Sequence, residues 1–189
     1  EGYTCYLPLA DLVDLDREIH PEDYDIQMLK LRMLYIKQDW DAVIGQCDVL
    51  ADLGRAQGDA SRIAEALSIK GDVQYQELGD SKQAYATYEE ALAADPDRTS
   101  VLNNYAYYLS LEHRKLRKAL KMSRRTVELE PDNATYLDTY GWLLYLLRKP
   151  KEAKPYFKHA MLYGGKDSAV VLEHYSKVLE ALGETDLAT

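Results

Sequence analysis

Four histidines and two cysteines are the residues best suited to acid–base, nucleophilic or metal chemistry in this chain. Their spacing assembles none of it. His20, His113, His159 and His174 fall in four different predicted elements, with no i, i+4 pair and no HExxH pattern. All four are expected at the surface or as helix caps. Glu173 and His174 are neighbours in sequence, so they face different sides of a helix and form no dyad with each other. Cys5 and Cys47 have neither metal-ligand spacing nor a disulfide framework, and Cys47 is expected as a buried small hydrophobe. The sequence has no glycine-rich phosphate loop, GxSxG elbow or Ser/His/Asp arrangement. It assigns no catalytic residue, metal site or cofactor, and the chain is not read as an enzyme.

The remaining chemistry is that of surfaces. Tyrosine dominates the aromatics, with 16 Tyr and 2 Trp against 1 Phe. Its apolar body and polar tip suit half-exposed faces that touch something. The formal net charge is −9, and it is uneven: residues 1–100 hold 21 acidic and 9 basic side chains, residues 101–189 hold 11 and 14. An acidic chain without a dominant basic surface is a poor match for nucleic acid, where phosphate neutralisation drives affinity. The strongest charge run, "HRKLRKALKMSRR" (113–125), contains seven Lys/Arg, and Lys151, Lys154 and Lys158 extend it. It is expected to be a solvated helix face. An acidic partner or anionic headgroups are its functional alternative, and no aromatic interleaves it as single-strand binding would need. No apolar run reaches the roughly 18 residues that span a bilayer. The length of 189 residues allows one or two domains, and the start at Glu1 reads as a fragment of a longer chain.

The elements that carry these side chains repeat. Gly71, Ala106, Gly141 and Ser176 lie 35 residues apart, Ala84, Ala119, Ala153 and Ala188 follow the same period within one residue, and Pro96 and Pro131 are again 35 apart. Each unit reads as helix A with a small residue, a polar turn, helix B with an alanine, and a Pro-Asp loop that stops the helix. Helices are expected at 6–19, 24–37, 40–54, 61–78, 81–93, 100–111, 115–129, 134–147, 150–162 and 168–182. Asp80 and Ser81 are candidate N-caps. The stretch "DLGRAQGDAS" is expected to be the longest irregular connection and a flexible joint. Pro155 is expected to kink its helix or shift its start. Gly141, inside "YLDTYGWLLY", costs about 1 kcal/mol relative to alanine, which seating a large partner such as Phe157 would offset.

The segment "YLDTYGWLLYLLRKPKEAKPYFKHAM" (136–161), with Gly141, Ala153, Phe157 and Ala160 at its packing positions, resembles the tetratricopeptide repeat. "GDSKQAYATYEEALAADPD" (79–97) matches next best. The repeat from Val101 has Ser123 and Thr126 where an aromatic and an alanine are usual, and the one from about Tyr24 keeps "DWDAVIGQCDVL" but lacks the small residue in helix A. The resemblance implies an all-α, right-handed α-α superhelix. It would hold a half-repeat at 1–21, repeats at about 22–55, 61–97, 98–132 and 133–166, and a half-repeat at 167–189, as one solenoid. It also implies that A helices line the concave face.

Counting three before, one after and four after each small residue marks one helix face. From that face come the candidate partner-binding residues Asp72, Tyr75, Asn103, Tyr107, Asp138, Trp142, Tyr145, Glu173 and Lys177. Aromatic anchors among polar groups suit peptide recognition in a groove. The bland alternative is that Tyr107 and Trp142 pack between neighbouring A helices. The carboxylate clamp of chaperone-binding members falls on Ser68, Asp72, Asn104, Thr135 and Thr139; only Asn104 matches, so that subtype is excluded. The expected function is a protein–protein interaction scaffold for a neutral-to-basic segment, with a self-assembling stretch of a longer solenoid, or a homo-oligomer joined through uncapped ends, as the alternative. The chain is also similar to bacterial tetratricopeptide proteins of the cell envelope, which implies a periplasmic or envelope location, with the cytoplasm as the alternative.

Overall fold

The computed structural model describes residues 20–184. Among these residues are nine α-helices and no strand: α1 (Tyr24–Lys37), α2 (Trp40–Gln57), α3 (Ala60–Gln76), α4 (Ser81–Ala94), α5 (Thr99–Leu111), α6 (Leu116–Leu129), α7 (Ala134–Leu146), α8 (Pro150–Leu162) and α9 (Ala169–Ala181), with a 3-10 turn at Gly165–Asp167. The helix expected at 6–19 lies outside the described residues, as do Cys5 and Ala188. Backbone contacts divide the chain into two compact units, Glu1–Arg98 and Thr99–Thr189. Within the first, α1 to α4 pack each against the next. Within the second, α5 to α9 do the same, and α7 additionally touches both α5 and α9. The odd-numbered helices are the A helices of the repeats.

Short polar side chains start most of these helices. Asp23, Asp39, Asp59, Asp80, Asn133 and Ser168 each accept a backbone N–H of the first turn, satisfying donors that have no intrahelical partner. Two helices break the rule. Lys115 precedes α6 and Lys149 precedes α8, and neither makes a side-chain cap bond.

In two hairpins the A helix leaves a space that a ring of the B helix fills. A Cβ on Gly71 would stand 2.4 Å from Tyr88 Cε1, and a Cβ on Gly141 would stand 2.7 Å from Phe157 Cε2. Both rings are fully buried, so each glycine is the space its ring occupies. The equivalent sequence positions are Ala106 and Ser123 on α5 and α6, and Leu31 and Cys47 on α1 and α2; all four are buried. Ser123 replaces an aromatic, and its buried Oγ has no hydrogen-bond partner. Burial pushes the Cys47 thiol up to about 12, so the thiol stays neutral.

One expectation is corrected and a second is narrowed. "DLGRAQGDAS" is not an irregular joint: α2 runs through it to Gln57, and only Gly58 and Asp59 separate α2 from α3. Gly58 takes the left-handed conformation (φ 67°) that closes the helix, and Gly54 lets α3 approach, since its Cβ would stand 2.9 Å from Ile63. The longest connection between described helices is instead 163–168, around the 3-10 turn. Pro155 does not shift the start of its helix, because α8 begins at Pro150 and continues through it. Pro155 and Lys151 are both exposed, so water reaches the carbonyl that Pro155 leaves unbonded.

Ser123→Phe alone is expected to destabilise the fold by about 1–3 kcal/mol through overpacking, and adding Ala106→Gly should recover part of that loss in urea denaturation. A double variant no more stable than the single one would show that volume exchange does not govern the hairpin. Cys47 should resist iodoacetamide at neutral pH in the native protein and react once urea unfolds it, as read by peptide mass mapping.

Candidate functional site

In the second unit, α7 carries Asp138, Trp142 and Tyr145 on one face, spaced by one helical turn each. From α9, Glu173, His174 and Lys177 reach the same place. His174 Nδ1 lies 2.9 and 3.2 Å from the two carboxylate oxygens of Asp138, and both residues are buried, at 7% and 4% exposure. A carboxylate only accepts, so Nδ1 carries the hydrogen and donates it. The imidazole stacks on Trp142 at 4.0 Å between centroids and 11° between planes. Trp142 also stacks with Tyr145 at 5.0 Å, and Lys177 Nζ stands 5.5 Å above the indole while it pairs with Glu173 at 2.6 Å. That pairing holds Glu173 below the usual carboxylate range and Lys177 above its own. Burial raises the Tyr107 hydroxyl, and Asp138 and Glu173 add to the shift, so Tyr107 of α5 belongs to the same cluster.

This geometry sorts the predicted residues. Asn103 and Asp138, three before the small residue, are buried because α7 packs on α5 and α9 packs on α7. Glu173, the equivalent on α9, has no later A helix among the described residues and is exposed. Tyr107, Trp142, Tyr145 and Lys177 are half-exposed. Trp142 is thus a wall locked between its neighbours, with part of its ring open. Asn103 keeps one buried amide oxygen without a hydrogen bond.

The expectation that all four histidines are superficial fails for His174, which is the buried partner of Asp138. Its neighbour Glu173 is not the relevant carboxylate; the partner sits one repeat back, 36 residues away. Only a search at the repeat period plus one could have found that pair.

In the first unit, α3 positions Asp72 and Tyr75. Asp72 accepts the Tyr88 hydroxyl at 2.5 Å, and Tyr75 packs its ring 6.1 Å from that of Tyr85. Asp72 also lines an open cavity of about 410 Å³ between α1 and α3, with Met28, Leu31, Arg32, Tyr35, Glu65 and Ile69. These α1 residues escaped the sequence reading because helix A of the first repeat has no small residue to set its register. Among the described residues no group of His, Cys, Asp and Glu could hold a metal ion, and no helix is long and apolar enough to cross a membrane.

Paired helices at a 35-residue period, closed by small-to-large seating, define a repeat scaffold. Residues 23–189 match the tetratricopeptide repeat family, and the chain belongs to that family, an all-α solenoid class that binds protein partners and whose members are typically not enzymes. Its relatives include the type IV pilus assembly protein PilF of Pseudomonas aeruginosa, 30% identical over 104 residues that make up 53% of this chain and 40% of the relative. The matched stretch is therefore about two fifths of that relative's length. The solved structure of P. aeruginosa pilF superposes with a TM-score of 0.70 at 20% identity, over 87% of this chain and 71% of that one. A tetratricopeptide repeat protein from Parabacteroides merdae gives 0.69 at 19% identity, over 87% and 63%.

Asp138→Ala should leave the buried imidazole N–H unpaired and cost about 1–3 kcal/mol, read by thermal or urea denaturation. Asp138→Asn, whose amide oxygen can still accept, should cost less. Equal losses from the two would show that the hydrogen bond is not what stabilises the pair.

Proposed function

We propose that the A-helix faces are docking surfaces for a neutral-to-basic segment of a protein partner. The observation that carries this reading is the open side of the second unit, where Trp142 and Tyr145 stack while half-exposed, beside the Glu173–Lys177 pair. A stacked aromatic platform ringed by charge offers apolar area that is already ordered, so a partner loses little entropy in using it. Tyr107 and Tyr145 act as anchors, and Glu173 and Lys177 set polarity. Asp138 and Asn103 act from below by fixing the platform. In the first unit, Asp72 lines the α1–α3 cavity with Glu65 and Arg32, two carboxylates against one guanidinium, which favours a basic side chain, and Tyr75 lies one turn further along α3. Similarity to a pilus assembly protein supports the assembly of a multi-protein structure as the setting.

A second reading is self-association, favoured by Val170 and Leu172 of α9, which are 46% and 43% exposed. Light scattering separates it from partner binding.

The test uses photo-crosslinking residues at Tyr75, at Tyr145 and, as a control, at Val49 on a B helix. One partner should be captured from the first two positions and not from the third. A Tyr107→Ala/Tyr145→Ala variant that melts normally should lose about thirtyfold in affinity for that partner, corresponding to roughly 2 kcal/mol for a pair of anchors. Equal capture from Val49, or undiminished binding by the variant, would sink the reading.

A further inference from the structure

We propose a second docking surface on the outward faces of α6 and α8, one that takes an acidic segment of a protein partner. It lies on the B helices and is separate from the A-helix reading.

Along α6, Arg117, Lys121, Arg124 and Arg125 are exposed, and positions 117, 121 and 124 repeat at helical spacing on the side opposite the buried Ala119, Met122, Ser123 and Thr126. Arg117 and Lys121 meet no carboxylate among the described residues. Arg124 donates through Nε to the Tyr140 hydroxyl at 3.3 Å, and Tyr140 meets Tyr156 of α8 edge-on at 4.7 Å. That chain of contacts joins α6 to α8, where Lys151 and Lys158 are exposed and also lack a carboxylate partner among the described residues.

Local stability is given up for this charge in α6, whereas α8 opens with Pro150 and Glu152, which suit a first turn. α6 and α8 are the helices preceded by lysine with no side-chain cap bond. Arg117 and Lys118 place positive charge in the first turn of α6, against the helix dipole. Arg117, Lys121 and Arg125 follow each other at i, i+4, where like charges repel. The turn before α6 holds His113 and Lys115 at φ 51° and 46°, a left-handed conformation that non-glycine residues adopt at a cost. The fold does not require the positive sign. The exposed positions of α2 and α4, the B helices of the first unit, carry Asp41, Asp48, Asp52, Glu89 and Glu90 instead. Lys118 gains contacts inside the fold, with Nζ 4.7 Å above the Tyr105 ring and 3.2 Å from its hydroxyl, and Arg125 pairs with Glu128 at 3.6 Å. Arg117 and Lys121 have no such contact among the described residues, and like charge left uncompensated at those two positions marks a functional surface.

The occupant follows from complementarity. A row of guanidinium and ammonium groups matches carboxylates, and arginine can hold them bidentately. The cations at 117, 121 and 124 recur one turn apart in a single row that an extended acidic segment can follow, and the exposed positions of α6 offer no aromatic to enter a bilayer interface or to stack on a base. An acidic polypeptide is therefore favoured over a lipid surface or a nucleic acid.

The test titrates the full chain with a labelled Glu/Asp peptide, and in parallel with phosphatidylglycerol vesicles and an oligodeoxythymidine of matching charge. The peptide should bind, with affinity falling as salt rises. Arg117→Glu/Lys121→Glu should weaken it roughly tenfold and should raise the melting temperature, because the glutamate at 117 now suits the first turn of the helix. Tyr107→Ala/Tyr145→Ala should leave peptide binding unchanged, which separates this surface from the A-helix one. No peptide binding, or binding that the charge reversal does not weaken, would overturn the proposal and leave a solvated face. Vesicle or oligonucleotide binding in preference to the peptide would overturn it in favour of those partners.

Discussion

How far one B-helix side chain can reach across its A helix sets the rest of this fold. Tyr88 and Phe157 fill the space that Gly71 and Gly141 leave, and the helix crossing follows from that contact. A glycine inside a helix is locally unfavourable by about 1 kcal/mol, whereas burying an aromatic ring gains more. The local loss is therefore tolerated because it permits a larger tertiary gain. The equivalent positions in the other two hairpins, Leu31 with Cys47 and Ala106 with Ser123, are buried without a ring, so the glycine–aromatic seat is a solution used by two repeats and not a requirement of every one.

Fixed crossings then fix what the A helices show. Side chains three before the small residue turn toward the next A helix, and on α7 those one and four after it, Trp142 and Tyr145, stay half-exposed. Asp138 is consequently buried, and a buried carboxylate needs a donor. His174 supplies it from the next repeat, and stacking on His174 orients Trp142. The polar pair below and the aromatic layer above form one unit. The rigidity of the exposed platform thus descends from a hydrogen bond that no partner would touch. Asn103 holds the equivalent place one repeat earlier with no histidine opposite, and its amide oxygen stays unsatisfied. The repeat conserves the geometry of the position while its chemistry varies.

Much of this was legible in the sequence, and the boundary is physical. Period and small residues located the nine expected helices that fall among the described residues to within a few residues, because each repeat must bury the same stripe. Asp80 as a cap and Phe157 as the partner of Gly141 followed from that stripe. "DLGRAQGDAS" misled because glycine marks a loop in composition but can also serve close packing, as at Gly54, or helix closure, as at Gly58; only the neighbouring chain distinguishes them. His174 was missed because its partner is remote in sequence. Spacing put Trp142 and Tyr145 on one helix face, and Glu173 and Lys177 on the equivalent face of the next A helix, and the resemblance to the repeat family made that face the inward one; the division between its buried and open members needed the neighbouring helices.

The two kinds of helix in the second unit are under different constraints. An A helix lies between the neighbours that precede and follow it, so its polar groups are matched to one another before they can be matched to a partner. A B helix has one face in the hairpin and leaves a broad face to water, where sequence is free to drift in charge. That freedom is why the sign on such a face carries information. Where α2 and α4 combine well-capped N-termini with acidic exposed faces, local helix stability and solubility point the same way. In α6 they oppose, since the cations that keep it soluble also destabilise its first turn. At Arg117 and Lys121 no carboxylate among the described residues of the second unit offsets that conflict, and it points outward to what the face meets.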